Sequence, residues 1–267
     1  MAAAGFGDLL SKNASTADWL VGHVLFDEYF CEFSAAVAEE AVSHCIADAD
    51  LIKANRPEGL SVLIEALLRS GISMVLAGSS APASGGEHLI SHLWDMTAHW
   101  HGRTPALHGE QTGVTTLISL CLYAKLLSLD VDGLRSRLTC RSVAKTPAAF
   151  DAFIRNRFHE LADGVLPFAR QKFFDAETLQ QRQNHILSSW EQLRAAVRRT
   201  VIPPADSRAH LRAAGAVWRA EDLGISTEEL RFAYHHARLI WNRYTVLDLA
   251  AELGLLEEWE EEVLNQV

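Results

Sequence analysis

One stretch of the sequence, residues 114–129, is apolar on nearly every side of a helical projection, and this limits the folds that the chain can adopt. Ser119, Lys125 and Ser128 are its polar members. Such a helix has no face suited to water, and it is shorter than the roughly 20 residues needed to cross a bilayer. It therefore predicts the central helix of a bundle in a soluble protein.

The remaining pattern predicts helices and no sheet. No sustained alternation of apolar and polar residues occurs, and the dipeptides typical of tight hairpins, Asn-Gly and Asp-Gly, are absent. Apolar residues recur at helical spacing over 15–31 and 33–48, and Pro57 is placed to begin a helix that we expect to end near Gly71. The predicted fold class is all-α.

Further helix boundaries follow from capping residues. The Thr-Pro pair at 146–147 suits the first turn of a helix, and the Pro pair at 203–204 is expected to end the amphipathic run 177–201. Residues 226–229, Ser-Thr-Glu-Glu, match a capping box. No internal repeat or linker is evident, so we expect residues 1–267 to form a single helical domain.

Composition and charge exclude several function classes. The chain has 267 residues, 49% of them hydrophobic, which suits a packed globule. Its 24 basic and 34 acidic residues give a formal net charge of −10, so it lacks the basic surface of a nucleic-acid-binding protein. The Lys and Arg residues are scattered among acidic ones, and no membrane-binding face is expected.

The cysteines and the N-terminus predict a cytoplasmic protein. Cys31, Cys45, Cys121 and Cys140 are widely spaced and match no zinc-ribbon pattern, so we expect reduced thiols. The first ten residues lack the basic and long apolar regions of a signal peptide.

Histidines concentrate in one part of the chain. Five of the 12 fall within 21 residues: His88, His92, His99, His101 and His108. His88 and His92 would share one face of a helix that we expect to begin at 84–86, with Ser84 as its cap. His108 would lie in a loop or in the first turn of the central helix. Residues 77–87 and 99–113, which are rich in Gly, Pro and Ser, would allow the chain to fold back between these histidines.

A divalent cation bound by imidazoles usually also needs a carboxylate. Glu87, Asp95 and Glu110 are candidates within the histidine-rich region. Asp8 is a candidate outside it, since it follows Gly5-Phe6-Gly7 and would open a short helical turn that ends with Lys12, where the helix dipole would keep it ionised. By spacing alone, ordinary surface or core histidines are as good an explanation as a metal site.

Several segments together resemble a known family. In chain order, the similarity to sn-glycerol-1-phosphate dehydrogenases rests on GFGDLLSK (5–12) followed by Asp18-Trp19, GSSAPASGGEHLISHLW (78–94), LHGEQTGV (107–114) and NRYTVLDLAAELGLLE (242–257). These enzymes belong to the superfamily of iron-containing alcohol dehydrogenases, glycerol dehydrogenases and dehydroquinate synthases. The resemblance implies the fold of their helical, C-terminal half.

The resemblance also implies a set of site residues. The aspartate of the GxGD segment, Asp8, and the histidines His88 and His108 would bind one divalent ion, for which Zn, Fe and Ni are all suitable. The position of a fourth ligand in related alcohol dehydrogenases is occupied here by Lys12. His92, one helical turn from His88, would have a supporting or proton-relay role.

The implied reaction is the reversible reduction of dihydroxyacetone phosphate to sn-glycerol-1-phosphate with NADH or NADPH, on a carbonyl polarised by the metal. Lys12 would attract the substrate phosphate or support Asp8; a solvated surface lysine is the alternative. Two other activities stay open. One is a related glycerol or polyol dehydrogenase or dehydroquinate synthase-like enzyme, and the other is a metal-binding module without catalysis. The dimeric members of the family make a homodimer conceivable.

The family's nucleotide-binding α/β domain is not evident in the chain. No Gly-rich turn follows a strand, and Gly5-x-Gly7 is no substitute because no strand precedes it. We therefore expect this chain to be the metal-binding half, with a nucleotide-binding half as its partner. His235 and His236 are expected at surface or packing positions and 257–262 on a solvated face, while the role of 243–245 (Arg-Tyr-Thr) stays open.

Overall fold

Helices account for the regular structure in the computed structural model, which describes residues 1–138 and 146–267; no β-strand occurs in these two ranges. The helices are α1 (Ala2–Leu10), α2 (Lys12–Phe26), α3 (Glu32–Ala47), α4 (Ala49–Lys53), α5 (Pro57–Ala77), α6 (Gly86–Thr97), α7 (His108–Ser128), α8 (Val131–Arg137), α9 (Pro147–Phe158), α10 (Ala162–Ala169), α11 (Ala176–Val197), α12 (Pro204–Ala213), α13 (Thr227–His236), α14 (Val246–Glu252) and α15 (Glu260–Leu264). The all-α prediction is confirmed.

Helix α7 is the central element, as the apolar stretch in the sequence predicts. Every residue from 111 to 123 is buried, and α1, α6, α12 and α14 pack around the helix. One group of apolar side chains fills the space between α1, α3, α4, α5 and α12, and a larger group packs α6 and the C-terminal helices against the other sides of α7. The core is thus built around a single buried helix.

Helices α1 and α7 approach each other at backbone distance. A Cβ atom placed on Gly109 would lie 2.0 Å from the carbonyl oxygen of Ala4, and one placed on Gly7 would lie 2.2 Å from the carbonyl oxygen of Gly109. Only glycine leaves room for this contact at both positions. Since Asp8 follows Gly7 and His108 precedes Gly109, the contact brings these two side chains to one place.

The predicted helical run 15–31 ends early, because α2 stops at Phe26, and two other predicted helix boundaries are wrong. Helix α5 does not end near Gly71 but continues to Ala77, where Gly78 with φ 65° terminates it. Packing of α5 on α1 and α3 outweighs the low helix propensity of one glycine. Ser84 does not cap α6, which begins at Gly86 without a side-chain cap from its own N-cap residue.

The other capping predictions are confirmed. The hydroxyl of Thr146 accepts a hydrogen bond from the Ala149 N–H at the start of α9, and Ser226 and Glu229 form the capping box of α13. The amphipathic run 177–201 forms α11, which ends at Val197, before the Pro pair that leads into α12.

The cysteines within the described ranges, Cys31, Cys45 and Cys121, are free thiols, as expected; Cys140 lies outside those ranges. Helix α5 is long and apolar enough to cross a membrane, and 28% of its most apolar 18 residues are buried. Helices α7 and α8 would be long and apolar enough only if counted together, and the two are bent by 109° relative to each other. Helices of globular proteins can have the same composition, so α5 carries no membrane assignment.

The contact between α1 and α7 predicts opposite effects for two Gly→Ala substitutions in helices. Gly109→Ala places a methyl group against the backbone of α1 and should lower the free energy of unfolding by about 1–3 kcal/mol. Gly71→Ala meets no atom within 4 Å and should stabilise the protein by up to about 1 kcal/mol. Urea unfolding followed by circular dichroism measures both values. Equal stability of the two variants would show that α1 does not need this close approach.

Candidate metal centre

Asp8 lies in the last turn of α1, as the seventh of its nine residues. The prediction that it opens a helical turn is therefore wrong, and the helix dipole there opposes a negative charge instead of favouring it. The Gly-x-Gly segment before it is helical and forms no turn: Gly7 makes the close contact with α7, and Gly5 faces Leu63 and Leu67 of α5. Asp8 is directed into the space between α1, α6 and α7, and 27% of its side chain is exposed.

Two histidines meet Asp8 from the N-terminal turns of different helices. His88 is the third residue of α6 and is buried, whereas His108 is the first residue of α7 and is exposed. One potential ligand atom from each of Asp8, His88 and His108 lies within 4.8 Å of the others. His88 Nε2 is 3.4 Å from Asp8 Oδ1, and the His88 and His108 ring centroids are 5.1 Å apart. The structure thus brings together the three residues that the family resemblance implies as ligands.

His92 lies beside this group and is exposed. Its ring stacks on that of His108 at a centroid distance of 5.4 Å, and the His88 ring is 6.1 Å away. Together with Asp95 and His108 it forms a second cluster of potential ligand atoms within 4.8 Å. His92 is thus at the open side of the cluster, where a bound substrate could reach it.

Lys12 is buried, so a solvated surface lysine is excluded. Its Nζ atom donates to Asp8 Oδ1 at 3.0 Å, to the Ala83 carbonyl at 3.1 Å and to Ser11 Oγ at 3.3 Å. These three acceptors occupy the three hydrogens of the ammonium group. The contacts favour the role of supporting Asp8 and linking α2 to the loop before α6.

The local charges favour the protonation states that bind metals. Burial acts to raise the pKa of Asp8, but its hydrogen bond with His88 and the charge of Lys12 outweigh burial and hold that pKa well below its usual value. Burial lowers the pKa values of both His92 and His108, and the charge of His88 lowers them further. The shifts therefore favour the carboxylate form of Asp8 and the neutral form of His92 and His108, which are the forms that bind metals.

Other candidates from the sequence lie elsewhere. His99 and His101 are in an exposed 3-10 turn, where His99 bonds to Glu160 at 2.7 Å. Glu110 belongs to neither potential ligand cluster in the described ranges. Glu87 is fully buried and contacts His88 Nδ1 at 2.8 Å, on the side of the ring away from Asp8.

The sequence analysis missed the residues that orient His108. Ser91, one turn after His88, has its hydroxyl 3.3 Å from His108 Nδ1 and donates to Gln111 Oε1 at 3.1 Å. Gln111 in turn donates to Asp95 Oδ1 at 2.6 Å. Because the Ser91 hydroxyl donates to Gln111, it can accept a hydrogen bond from His108 Nδ1–H. The lone pair of His108 is then on Nε2. Nothing in the spacing of a serine and a glutamine distinguishes these from ordinary helix residues.

Asp18 was quoted only as part of the family resemblance, yet it organises the start of α6. Its side chain is fully buried and accepts hydrogen bonds from the Gly86 and Val246 N–H groups, both at 2.7 Å, and from the Tyr123 hydroxyl. Gly86 and Val246 are the first residues of α6 and α14, so one carboxylate caps two helices. Burial, reinforced by the charge of Glu87, raises the pKa of Asp18 to about 7.

The Arg-Tyr-Thr segment at 243–245 is structural in this arrangement. The Arg243 guanidinium donates to the Ser84 carbonyl and, at 3.0 Å, to Ser80 Oγ, and so it holds the loop before α6. Thr245 forms a capping box with Asp248 at the start of α14. His235 and His236 are partly buried packing residues, as expected, with His236 stacked on Phe232.

Replacing Asp18 tests the double cap. In Asp18→Asn the amide nitrogen would face the Gly86 N–H, so this buried donor loses its acceptor and the free energy of unfolding should fall by about 1–3 kcal/mol. The control Asp175→Asn, at the exposed N-cap of α11, keeps a cap acceptor and should change stability little. Chemical unfolding compares them. Similar stabilities for both variants would contradict the double cap.

The chain is similar in sequence to curated glycerol-1-phosphate dehydrogenases. The chain is 44% identical over 123 residues to the glycerol-1-phosphate dehydrogenase [NAD(P)+] of Halalkalibacterium halodurans, covering 46% of this chain and 31% of that protein. It is 44% identical over 121 residues to the enzyme of Pyrococcus horikoshii, covering 45% of the chain and 34% of the relative. For the enzyme of Geobacillus stearothermophilus, 126 residues are 41% identical, covering 47% and 31%.

No family model matches the chain. Each aligned segment corresponds to about a third of the length of the relative concerned, and to a little under half of this chain. Within that segment the chain is a homologue of the glycerol-1-phosphate dehydrogenases.

Proposed function

We propose that this chain is the metal-binding part of an NAD(P)-dependent glycerol-1-phosphate dehydrogenase that acts on dihydroxyacetone phosphate. The convergence of potential ligand atoms from Asp8, His88 and His108 within 4.8 Å is the observation that carries the proposal. One carboxylate and two imidazoles suit Zn, Fe or Ni, and three protein ligands leave a coordination position open for substrate. The chemistry of this donor set therefore fits the metal that the family resemblance implies.

Each residue of the site has a role in this proposal. Asp8, His88 and His108 hold the ion, which when bound supplies electrophilic polarisation of the substrate carbonyl. Lys12 keeps the Asp8 carboxylate in place through its 3.0 Å contact. His92, exposed at the open side of the cluster and stacked on His108, is placed to move a proton to or from the substrate oxygen.

The remaining requirements of the reaction define the partners. NAD or NADP would supply the hydride, and a nucleotide-binding part of the kind implied by the relatives' names would hold it. We assign residues 1–267 to one domain, because the helices of the described ranges pack around α7. Free thiols at Cys31, Cys45 and Cys121 are consistent with the reducing cytoplasm, where we place the protein.

The first test is metal stoichiometry. The protein loaded with Zn²⁺ and desalted should retain one ion per chain, whereas His88→Ala should retain none because it loses a buried ligand. His99→Ala is the matched control, since its exposed side chain belongs to the same histidine-rich region and hydrogen-bonds with Glu160, away from the ligand cluster. Elemental analysis by mass spectrometry gives the ratio. Zinc-free wild-type protein, or zinc retained by His88→Ala, would refute the site.

The second test concerns the substrate and needs no nucleotide-binding part. With Co²⁺ in the site, dihydroxyacetone phosphate should enter the open coordination position and change the visible absorption spectrum. We expect the His99→Ala variant to show the same change, because the exposed His99 side chain belongs to neither ligand cluster of the described residues. A spectrum that stays constant at saturating Co²⁺ as the substrate is added would argue against this substrate, while leaving the metal assignment standing.

A further inference from the structure

Glu87 is a buried acid that the three-ligand set does not use. Its side chain is fully buried, and its Oε1 atom accepts the Gly85 N–H at 2.9 Å and contacts His88 Nδ1 at 2.8 Å. As a carboxylate Glu87 can only accept, so Oε1 accepts from both the Gly85 N–H and His88 Nδ1–H. The lone pair of His88 is then on Nε2, the atom that lies 3.4 Å from Asp8.

Burying the Glu87 carboxyl group costs free energy that its packing alone does not explain. Its Oε2 atom is buried and has no hydrogen-bond partner among the described residues. A Cβ atom placed on Gly85 would lie 2.4 Å from Asp18 Oδ2 and 2.8 Å from Glu87 Oε2, so the two acids crowd the same piece of backbone. Two carboxylates sharing a buried space repel each other, and Arg243 is a nearby cation that acts on both.

The two histidines of the site are also oriented in different ways. His108 Nδ1 contacts the neutral Ser91 hydroxyl at 3.3 Å, whereas His88 Nδ1 contacts a carboxylate at a shorter distance. A carboxylate that accepts the hydrogen of one imidazole nitrogen makes the other nitrogen a stronger donor to a cation. The carboxylate of Glu87 would also add to the negative charge of Asp8 near a bound cation.

We propose that Glu87 is a positioning residue for the metal centre: it fixes the Nδ1–H tautomer and the ring orientation of His88, and it strengthens Nε2 as a ligand. The metal part of this inference rests on the proposed function, but the tautomer part does not.

Glu87→Gln separates this role from a structural one. The amide oxygen can still accept from Gly85 and His88, and the amide nitrogen would lie where Glu87 Oε2 crowds Asp18 and could donate to it. The variant should therefore be at least as stable as the wild type in urea, because a buried like-charge pair is removed. Its Zn²⁺ dissociation constant should nevertheless rise by about 10–100-fold, because the carboxylate behind His88 is lost.

The experiment combines a competition titration, in which a zinc indicator reports the dissociation constant, with nitrogen NMR of the metal-free protein. The His88 resonances are assigned by their loss in His88→Gln. Ser91→Ala serves as the control and should weaken zinc binding less than Glu87→Gln does, because it removes a neutral partner. We expect the wild-type protein to show the Nδ1–H tautomer of His88.

Two results would overturn the inference: an Nε2–H tautomer of His88 in the wild type, or an unchanged zinc dissociation constant in a folded Glu87→Gln variant. If the wild-type protein bound no zinc, the proposed function would fail, and the tautomer measured in the same sample would still decide whether Glu87 orients His88.

Discussion

The backbone contact between α1 and α7 is the constraint on which the site depends. Asp8 and His108 are a hundred residues apart in the chain, and they meet because Gly7 and Gly109 let the two helices approach to a distance at which a Cβ atom would overlap a carbonyl oxygen. Since α7 is also the buried centre of the bundle, the position of His108 is fixed by the core. The position of Asp8 is fixed in the same way, because α1 packs against α7 at backbone distance.

His88, the third member of the cluster, is held in place by two buried acids, Asp18 and Glu87. Asp18 ties the first residues of α6 and α14 together and thereby sets the point at which α6 begins. His88 is two residues after Gly86, so the same cap places its ring, and Glu87 accepts a hydrogen bond from its Nδ1–H. The histidine that faces Asp8 is therefore positioned by interactions with groups that never reach the open side of the cluster.

The sequence carried much of this arrangement. The all-α class, the central helix and the capping boxes follow from local patterns, and the three residues that meet in the site follow from the family resemblance. The errors have one cause. The Gly5-Phe6-Gly7 segment predicts a turn and Gly71 predicts a helix end, whereas packing between helices accommodates Gly7 inside α1 and Gly71 inside α5. Local propensity is weak, and contacts between distant residues override it.

The same limit explains why Ser84 was chosen as the cap of α6. A serine two residues before a helix is a reasonable local choice, but the acceptor that caps Gly86 belongs to Asp18, 68 residues away in the chain. The role of Lys12 stays open in the sequence for a related reason. One acceptor of its ammonium group, the Ala83 carbonyl, is 71 residues away in the chain. Long-range partners of this kind have no periodicity in the sequence and become visible only in the fold.

Charge balance links these buried groups to the site. Asp8, Glu87 and Asp18 put three carboxyl groups within a small volume, where Lys12 contacts Asp8 and the charge of Arg243 acts on the other two. Carboxylates in such surroundings repel one another, and a cation next to Asp8 and His88 would reduce that repulsion. The acids that position the ligands therefore also favour a positive ion at the centre they surround, so the geometry and the electrostatics of the site have a common origin.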